Sequence, residues 1–326
     1  MRALLCKQFG PPETLVVEDI AAPEIGPDDV RIDVQAAAVN FPDSLIIENK
    51  YQTKPELPFS PGGELAGVVS AVGDNVNHVA VGDDVIAFTT YGAFAEQVAA
   101  PADRVIPMPA GVDHVTASAF VMTYCTTYHA LADRAALQSG ESLLVLGASG
   151  GVGLAAIEIG KALGAHVIAA ASSEDKLAVC REHGADETIN YGEEDLKTAI
   201  KDRTGGRGVD VVYDPVGGPA TEAALRGTAW RGRLLVIGFA SGEIPKPPLN
   251  LALLKGCSIV GVFWGSFVKR EPEANRKQLT QLFTWLGEGR LRPHVSATYP
   301  LARGGEAITL LASRRASGKV VIKPQD

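Results

Sequence analysis

The hydrophobic positions change rhythm once along the chain. Over the first ~110 residues the apolar side chains gather in short β-type runs separated by Pro and Gly: Leu15-Val16-Val17, Val30-Arg31-Ile32-Asp33-Val34, Val68-Val69 and Val85-Ile86-Ala87-Phe88. That pattern predicts a β-rich unit. After about residue 120, strand-like runs alternate with helical ones at regular spacing, the signature of βαβ units around a parallel sheet.

The clearest such unit begins with Leu143-Leu144-Val145-Leu146 and turns through Gly147-Ala148-Ser149-Gly150-Gly151-Val152-Gly153. It then enters a helix with the apolar stripe Val152, Ala155, Ala156, Ile159 and Leu163, ended by Gly164. A second strand over 167–171 leads into a helix capped by Ser172 or Ser173 and closed at Gly184. Further strands are expected at 209–213, 234–237 and 259–263, for six parallel strands in a doubly wound α/β sheet. From about Gly265 the alternation stops, and a helix over 278–286 precedes a strand-like run at 319–322. The expected organisation is a β-rich domain over 1–120, a nucleotide-type domain over 121–264, and a return to the first domain over 265–326.

Composition narrows the function. A chain of 326 residues, 46% hydrophobic and 21% charged, suits about two globular domains of ~150 residues. Its 35 glycines exceed the usual ~7% and require a reason. With a net charge of −8 and no block of Lys or Arg, nucleic-acid binding is not expected. Cys6, Cys125, Cys180 and Cys257 are scattered, which points to reduced thiols in a cytoplasmic protein and excludes a four-cysteine zinc lobe. The N-terminal apolar run is too short for a secretory signal. The longest uncharged stretch, 115–132, is rich in Thr, Ser, Ala and His and suits a bilayer poorly, so no membrane association is expected.

A dinucleotide pyrophosphate needs a tight strand-to-helix turn, backbone without Cβ where the phosphate approaches, and free N–H groups at a helix start. Ser149, Gly150, Gly151, Val152 and Gly153 stand where these demands meet, although Ala148 replaces the first glycine of the usual pattern. The second strand of an NAD site normally ends in Asp or Glu. Here it reads Ala170-Ala171-Ser172-Ser173-Glu174-Asp175-Lys176, and Ser172 and Lys176 can donate to a 2′-phosphate. NADPH is therefore favoured over NADH. Lys176 also reads as a solvated helix residue, and Glu174 and Asp175 count against a phosphate site. The loop spells G-x-S-x-G as well, with Asp214 and His294 following in α/β-hydrolase order, but it runs on through Val152-Gly153 rather than turning once at the serine.

Four motifs together resemble the zinc-free quinone oxidoreductases of the medium-chain dehydrogenase/reductase superfamily. They are Pro61-Gly62-Gly63-Glu64-Leu65-Ala66-Gly67 with its following glycines, the Ala148 to Gly153 loop, Gly184-Ala185-Asp186 with Ile189-Asn190-Tyr191, and Gly318-Lys319-Val320-Val321. The resemblance covers nearly the whole chain and implies a GroES-like catalytic domain beside a Rossmann domain. The superfamily's zinc enzymes keep a Cys and a His where this chain has Asn40 and Gly63, so no metal is expected.

By the same resemblance Asn40, in Asn40-Phe41-Pro42-Asp43, and Tyr51 line the nicotinamide end, as a donor to a substrate or nicotinamide oxygen and as an aromatic hydroxyl. Thr126 touches the cofactor, and Tyr124, where the family has glycine, would narrow the pocket floor. Ser172, Lys176 and Tyr191 surround the adenosine phosphate; Gly238, Phe239 and Ala240 follow the fifth strand; Phe263, Trp264 and Gly265 lie near the nicotinamide, Phe263 and Trp264 reading equally as core packing. A homodimer joined through the edge strands 259–263 is implied too. The expected activity is hydride transfer from NADPH to quinones or other α,β-unsaturated carbonyls. A 2-enoyl-thioester reductase and a weakly catalytic crystallin- or adaptor-like NADPH-binding protein stand as alternatives.

Overall fold

In the computed structural model, which describes residues 1–326, the long strand Asp29–Val39 is the spine of the first unit, formed by Met1–Met122 and Pro293–Asp326. Its alternating burial fits a strand that packs one face on the core and turns fully inward at its end. Glu64–Val72 pairs antiparallel on one side and Lys319–Lys323 antiparallel on the other. Asp84–Phe88 and Val105–Pro107 extend the sheet past Glu64–Val72, and Val295–Pro300 extends it past Lys319–Lys323. Gly67 lies where this sheet is tightest: a Cβ there would sit 2.2 Å from the Asp33 carbonyl oxygen.

The second unit, Thr123–Arg292, is built on six strands paired in parallel throughout. Their order is Glu187–Asn190, His166–Ala171, Ser142–Leu146, Val209–Asp214, Thr228–Val236, Ser258–Gly261. In chain order this is 3-2-1-4-5-6, the Rossmann arrangement, with the switch point between Ser142–Leu146 and Val209–Asp214. Ser142–Leu146 is buried along its whole length, as a central parallel strand covered on both faces must be. Helix Gly151–Ala162 follows it, and Ser173 is the residue that precedes helix Glu174–Glu182.

Two expectations need correction. The return to the first unit begins at Pro293, not at 265, because Trp264–Arg270 and Pro272–Gly287 are helices of the nucleotide unit. The last strand ends at Gly261, leaving Val262 and Phe263 beyond it. The uncharged stretch at 115–132, expected to suit a bilayer poorly, forms short helical turns, two of them π-type. No helix is long and apolar enough to cross a membrane.

Candidate functional site

In the second unit, the residues expected around the cofactor emerge at the carboxyl ends of the strands, where open α/β sheets bind ligands. Gly150 to Gly153 follow Ser142–Leu146, Ser172 and Lys176 follow His166–Ala171, and Tyr191 follows Glu187–Asn190. Gly238, Phe239 and Ala240 follow Thr228–Val236, and Phe263, Trp264 and Gly265 follow Ser258–Gly261.

The loop has the shape a pyrophosphate requires. Helix Gly151–Ala162 starts at Gly150 without any side-chain cap, so its first N–H groups keep their donor capacity for an anion. A Cβ on Gly150 would meet nothing nearer than the Gly147 carbonyl oxygen at 3.4 Å, whereas one on Gly153 would lie 2.5 Å from that oxygen and 2.6 Å from the Ala148 oxygen. Gly153 thus lets the helix sit against the loop, and Gly150 leaves room in front of it.

Lys176 donates to the Ser172 hydroxyl at 3.2 Å, which brings the two expected phosphate donors together. Glu174, which counted against them, is held by Arg181 at 2.7 Å. The Thr126 side chain is partly exposed, and its neighbour Thr127 bonds the Tyr213 hydroxyl at 2.8 Å. Trp264 is buried with its indole N–H donating to Asn275 at 3.1 Å, so the packing reading holds for it, whereas Phe263 is 63% exposed and belongs to no core. Tyr124 does not form a pocket floor: it is buried inside the unit with its hydroxyl on Glu158 at 2.8 Å. The hydrolase pattern fails, because the Asp214 carboxylate is spent on the Val216 and Gly217 N–H groups and the Thr221 hydroxyl.

In the first unit, strand register assembles a buried polar cluster. Ala38 stands opposite both Glu64 and Val321, which brings Asn40, Glu64 and Lys319 together at the ends of three adjacent strands. Glu64 is fully buried and Lys319 is 4% exposed. The Lys319 ammonium lies 2.5 Å from Asn40 Oδ1 and 3.2 Å from Glu64 Oε2, and Glu64 Oε1 accepts the Met122 N–H at 2.7 Å. Asn40 Nδ2 donates to Glu64 Oε2 at 3.1 Å and to the Ala38 carbonyl at 3.3 Å. A flipped amide would set N–H against ammonium and C=O against carboxylate, which fixes its orientation. Asn40 therefore has no amide hydrogen left for a substrate, which does not fit its expected donor role.

The cluster also bears on the metal question. The two oxygens a cation would take, on Asn40 and Glu64, are already engaged by an ammonium, and no group of three or more His, Cys, Asp or Glu side chains is placed to hold a metal ion. The residues present do not fit a catalytic zinc.

Asp43 completes the cluster, its carboxylate accepting the Asn40 N–H at 2.7 Å. Burial pushes its carboxyl up to about 7, against the opposing pull of the Asn40 and Gly62 N–H groups and Lys319. Tyr51 is half-buried against the core, and burial, then the Asp43 charge, hold its phenol above the usual range. A carboxyl at about 7 when folded and ~3.9 when unfolded gains a proton on folding between those values. Its contribution to stability is complete below the lower value and lost as pH rises through the upper one. Asp43→Asn should remove this loss, so that wild type weakens relative to the variant between about pH 4 and 7 in urea denaturation. A constant difference across that range would show that Asp43 does not titrate there.

The sequence comparisons bear on this arrangement directly. An alcohol dehydrogenase GroES-like domain model matches residues 26–110, and a zinc-binding dehydrogenase model matches residues 151–284. A quinone oxidoreductase-like protein 2 homolog of Nematostella vectensis is 38% identical over 325 residues, covering 98% of this chain and 88% of that one. The chain belongs to the zinc-free quinone oxidoreductase family. The Pseudomonas aeruginosa quinone oxidoreductase is 35% identical, with 97% of each chain covered. The Escherichia coli quinone oxidoreductase, solved with NADPH, superposes with a TM-score of 0.94 at 29% identity over 99% of this chain and 100% of that one. As a member of this family the protein is an oxidoreductase. The roles of Lys319, Glu64 and Asp43 escape a reading by motif, although a charged residue inside an apolar run such as Lys319-Val320-Val321-Ile322 already signals a buried partner.

Proposed function

We propose that this quinone oxidoreductase relative is an NADPH-dependent reductase of quinones or other α,β-unsaturated carbonyls that works without a metal. The observation that carries the cofactor choice is the Ser172–Lys176 pair at a strand end that lacks the usual acid. When bound, the reduced nicotinamide supplies a hydride.

The chain's own residues do the rest. The N–H groups at the start of Gly151–Ala162 receive the pyrophosphate. Asn40, clamped by Lys319 and Glu64, offers Oδ1 as an acceptor. Tyr51, whose raised affinity for its proton keeps it an O–H, is the remaining donor toward an acceptor oxygen. With hydrogen-bond help alone, the acceptor must be electron-poor, which favours conjugated carbonyls over simple ketones. The free cysteines agree with a reducing cytoplasm. The exposed edge strand Ser258–Gly261, with Leu253, Leu254 and the 72%-exposed Trp230 on the same unit, supports a two-fold dimer through that edge.

The test is NADPH oxidation across quinones, enones and enoyl-CoA thioesters, with NADH alongside. Fast turnover of quinones or enones supports the proposal; much faster turnover of enoyl-CoA makes the chain a thioester reductase. Tight NADPH binding with no turnover favours a binding protein. Lys176→Ala should cut the preference for NADPH over NADH by about tenfold, the loss of one charge-assisted hydrogen bond, and an unchanged preference would remove Lys176 from the phosphate site.

A further inference from the structure

Glu158 is a charged residue where the pattern of helix Gly151–Ala162 calls for none: it is 4% exposed, on the helix that begins at the phosphate loop. A buried carboxylate must find donors. It has three, from three separate stretches of chain. Oε2 accepts the Tyr124 hydroxyl at 2.8 Å and the Arg292 backbone N–H at 2.9 Å, and Oε1 lies 2.7 Å from His183 Nδ1.

Their places in the chain give the contact its meaning. Tyr124 comes just after the chain enters the nucleotide unit, between Met122 and Thr123, and Arg292 is the last residue before it leaves. His183 ends helix Glu174–Glu182, the helix that carries Lys176. Thr126 is bracketed by two ties to the phosphate helix, Tyr124 to Glu158 on one side and the Thr127 hydroxyl to the Val152 carbonyl, at 3.4 Å, on the other.

We infer that Glu158 is a positioning residue of the cofactor site, fixing the Thr126 segment and the outgoing chain at Arg292 onto the phosphate helix. This rests on the nicotinamide-cofactor reading above. The groups that face its carboxylate are Tyr124, His183 and the Arg292 N–H, and the Arg292 guanidinium donates to the Glu182 carbonyl at 3.3 Å. Tyr124 stays a donor, since burial and then the Glu158 charge hold its phenol well above the usual range.

The arrangement makes Glu158→Gln an informative variant. The glutamine oxygen must face Tyr124 and Arg292, both donors, so its NH₂ faces His183 Nδ1. The imidazole ring nitrogen can accept that N–H, so the glutamine keeps all three contacts. Glu158→Gln, which keeps an acceptor for Tyr124 and the Arg292 N–H, should bind NADPH nearly normally, whereas Glu158→Ala, which keeps none, should bind it about tenfold more weakly. In the cofactor-free protein, amides 123–127 and 290–292 should exchange faster than in wild type in Glu158→Ala but not in Glu158→Gln. Tyr124→Phe, which spares the Arg292 bond, should weaken NADPH binding and speed exchange at 123–127 but not at 290–292.

Equal NADPH affinities for Glu158→Ala and wild type, or a fall in melting temperature with unchanged affinity and exchange, would overturn the inference. If wild type bound neither NADPH nor NADH, the cofactor reading would fall and the role assigned to Glu158 in the cofactor site with it. Cofactor binding by wild type and equally tight binding by Glu158→Ala would refute the role of Glu158 alone.

Discussion

Lys319→Met is expected to lower the unfolding free energy by about 3–5 kcal/mol, the cost of leaving one partner of a buried ion pair alone. The ammonium is the only cation among Asn40, Asp43 and Glu64, and its loss strands a fully buried carboxylate at Glu64. Its removal also takes away the clamp that holds Asn40 Oδ1 in place, so NADPH turnover should fall further than stability alone accounts for. The double variant Glu64→Gln with Lys319→Met should regain most of the lost stability, since no unpaired charge is then buried. Urea denaturation of the four proteins in the cycle checks both statements. A loss below about 1 kcal/mol for the single variant would mean that the pair behaves as a surface one.

The largest effect on the cofactor should come from Gly153→Ala. Its new methyl group would lie 2.5 and 2.6 Å from the carbonyl oxygens of Gly147 and Ala148, both backbone atoms that cannot swing aside. Either the loop moves or the helix does, and in both cases the N–H groups at the helix start lose their aim. Affinity for NADPH should drop by about a hundredfold or more, the equivalent of two charge-assisted hydrogen bonds. Gly150→Ala meets nothing closer than 3.4 Å in the free protein and serves as the contrast: it should fold normally and lose affinity only through the space it takes from the phosphate. Fluorescence titration measures both. Near-normal binding by Gly153→Ala would show that the loop is not the pyrophosphate cradle.

The two halves of the molecule were not equally legible in the sequence. In the nucleotide unit, function follows chain order: each strand is followed at once by the residues at its carboxyl end, so Leu143 to Gly153 or Ala171 to Lys176 can be read locally. The polar cluster is not local. Lys319 meets Asn40 and Glu64 through strand register across 279 and 255 residues, and no periodicity carries that information. Tyr124 misled for a related reason. A large residue where glycine was expected suggested a narrowed cleft, yet its hydroxyl turns inward to a glutamate in the buried run 153–160 of the phosphate helix. The domain boundary slipped because Trp264–Arg270 and Pro272–Gly287 abandon the strand–helix alternation while still belonging to the nucleotide unit.

The split first unit has a consequence for synthesis. At ~5–20 residues per second, Glu64 leaves the ribosome about 13–50 s before Lys319, the residue 255 positions later that neutralises it. The nucleotide unit is contiguous and can fold within that interval. Until then Asn40 and Glu64 belong to a sheet that lacks the strand Lys319–Lys323, with an exposed edge at Ala37–Val39, the part of the long strand that Gln97–Pro101 does not cover. Over the short interval between Arg292 and Lys319 the nascent chain is thus a finished nucleotide-binding unit tethered to an unfinished one, and that open edge is where a chaperone would act or an aggregate would start.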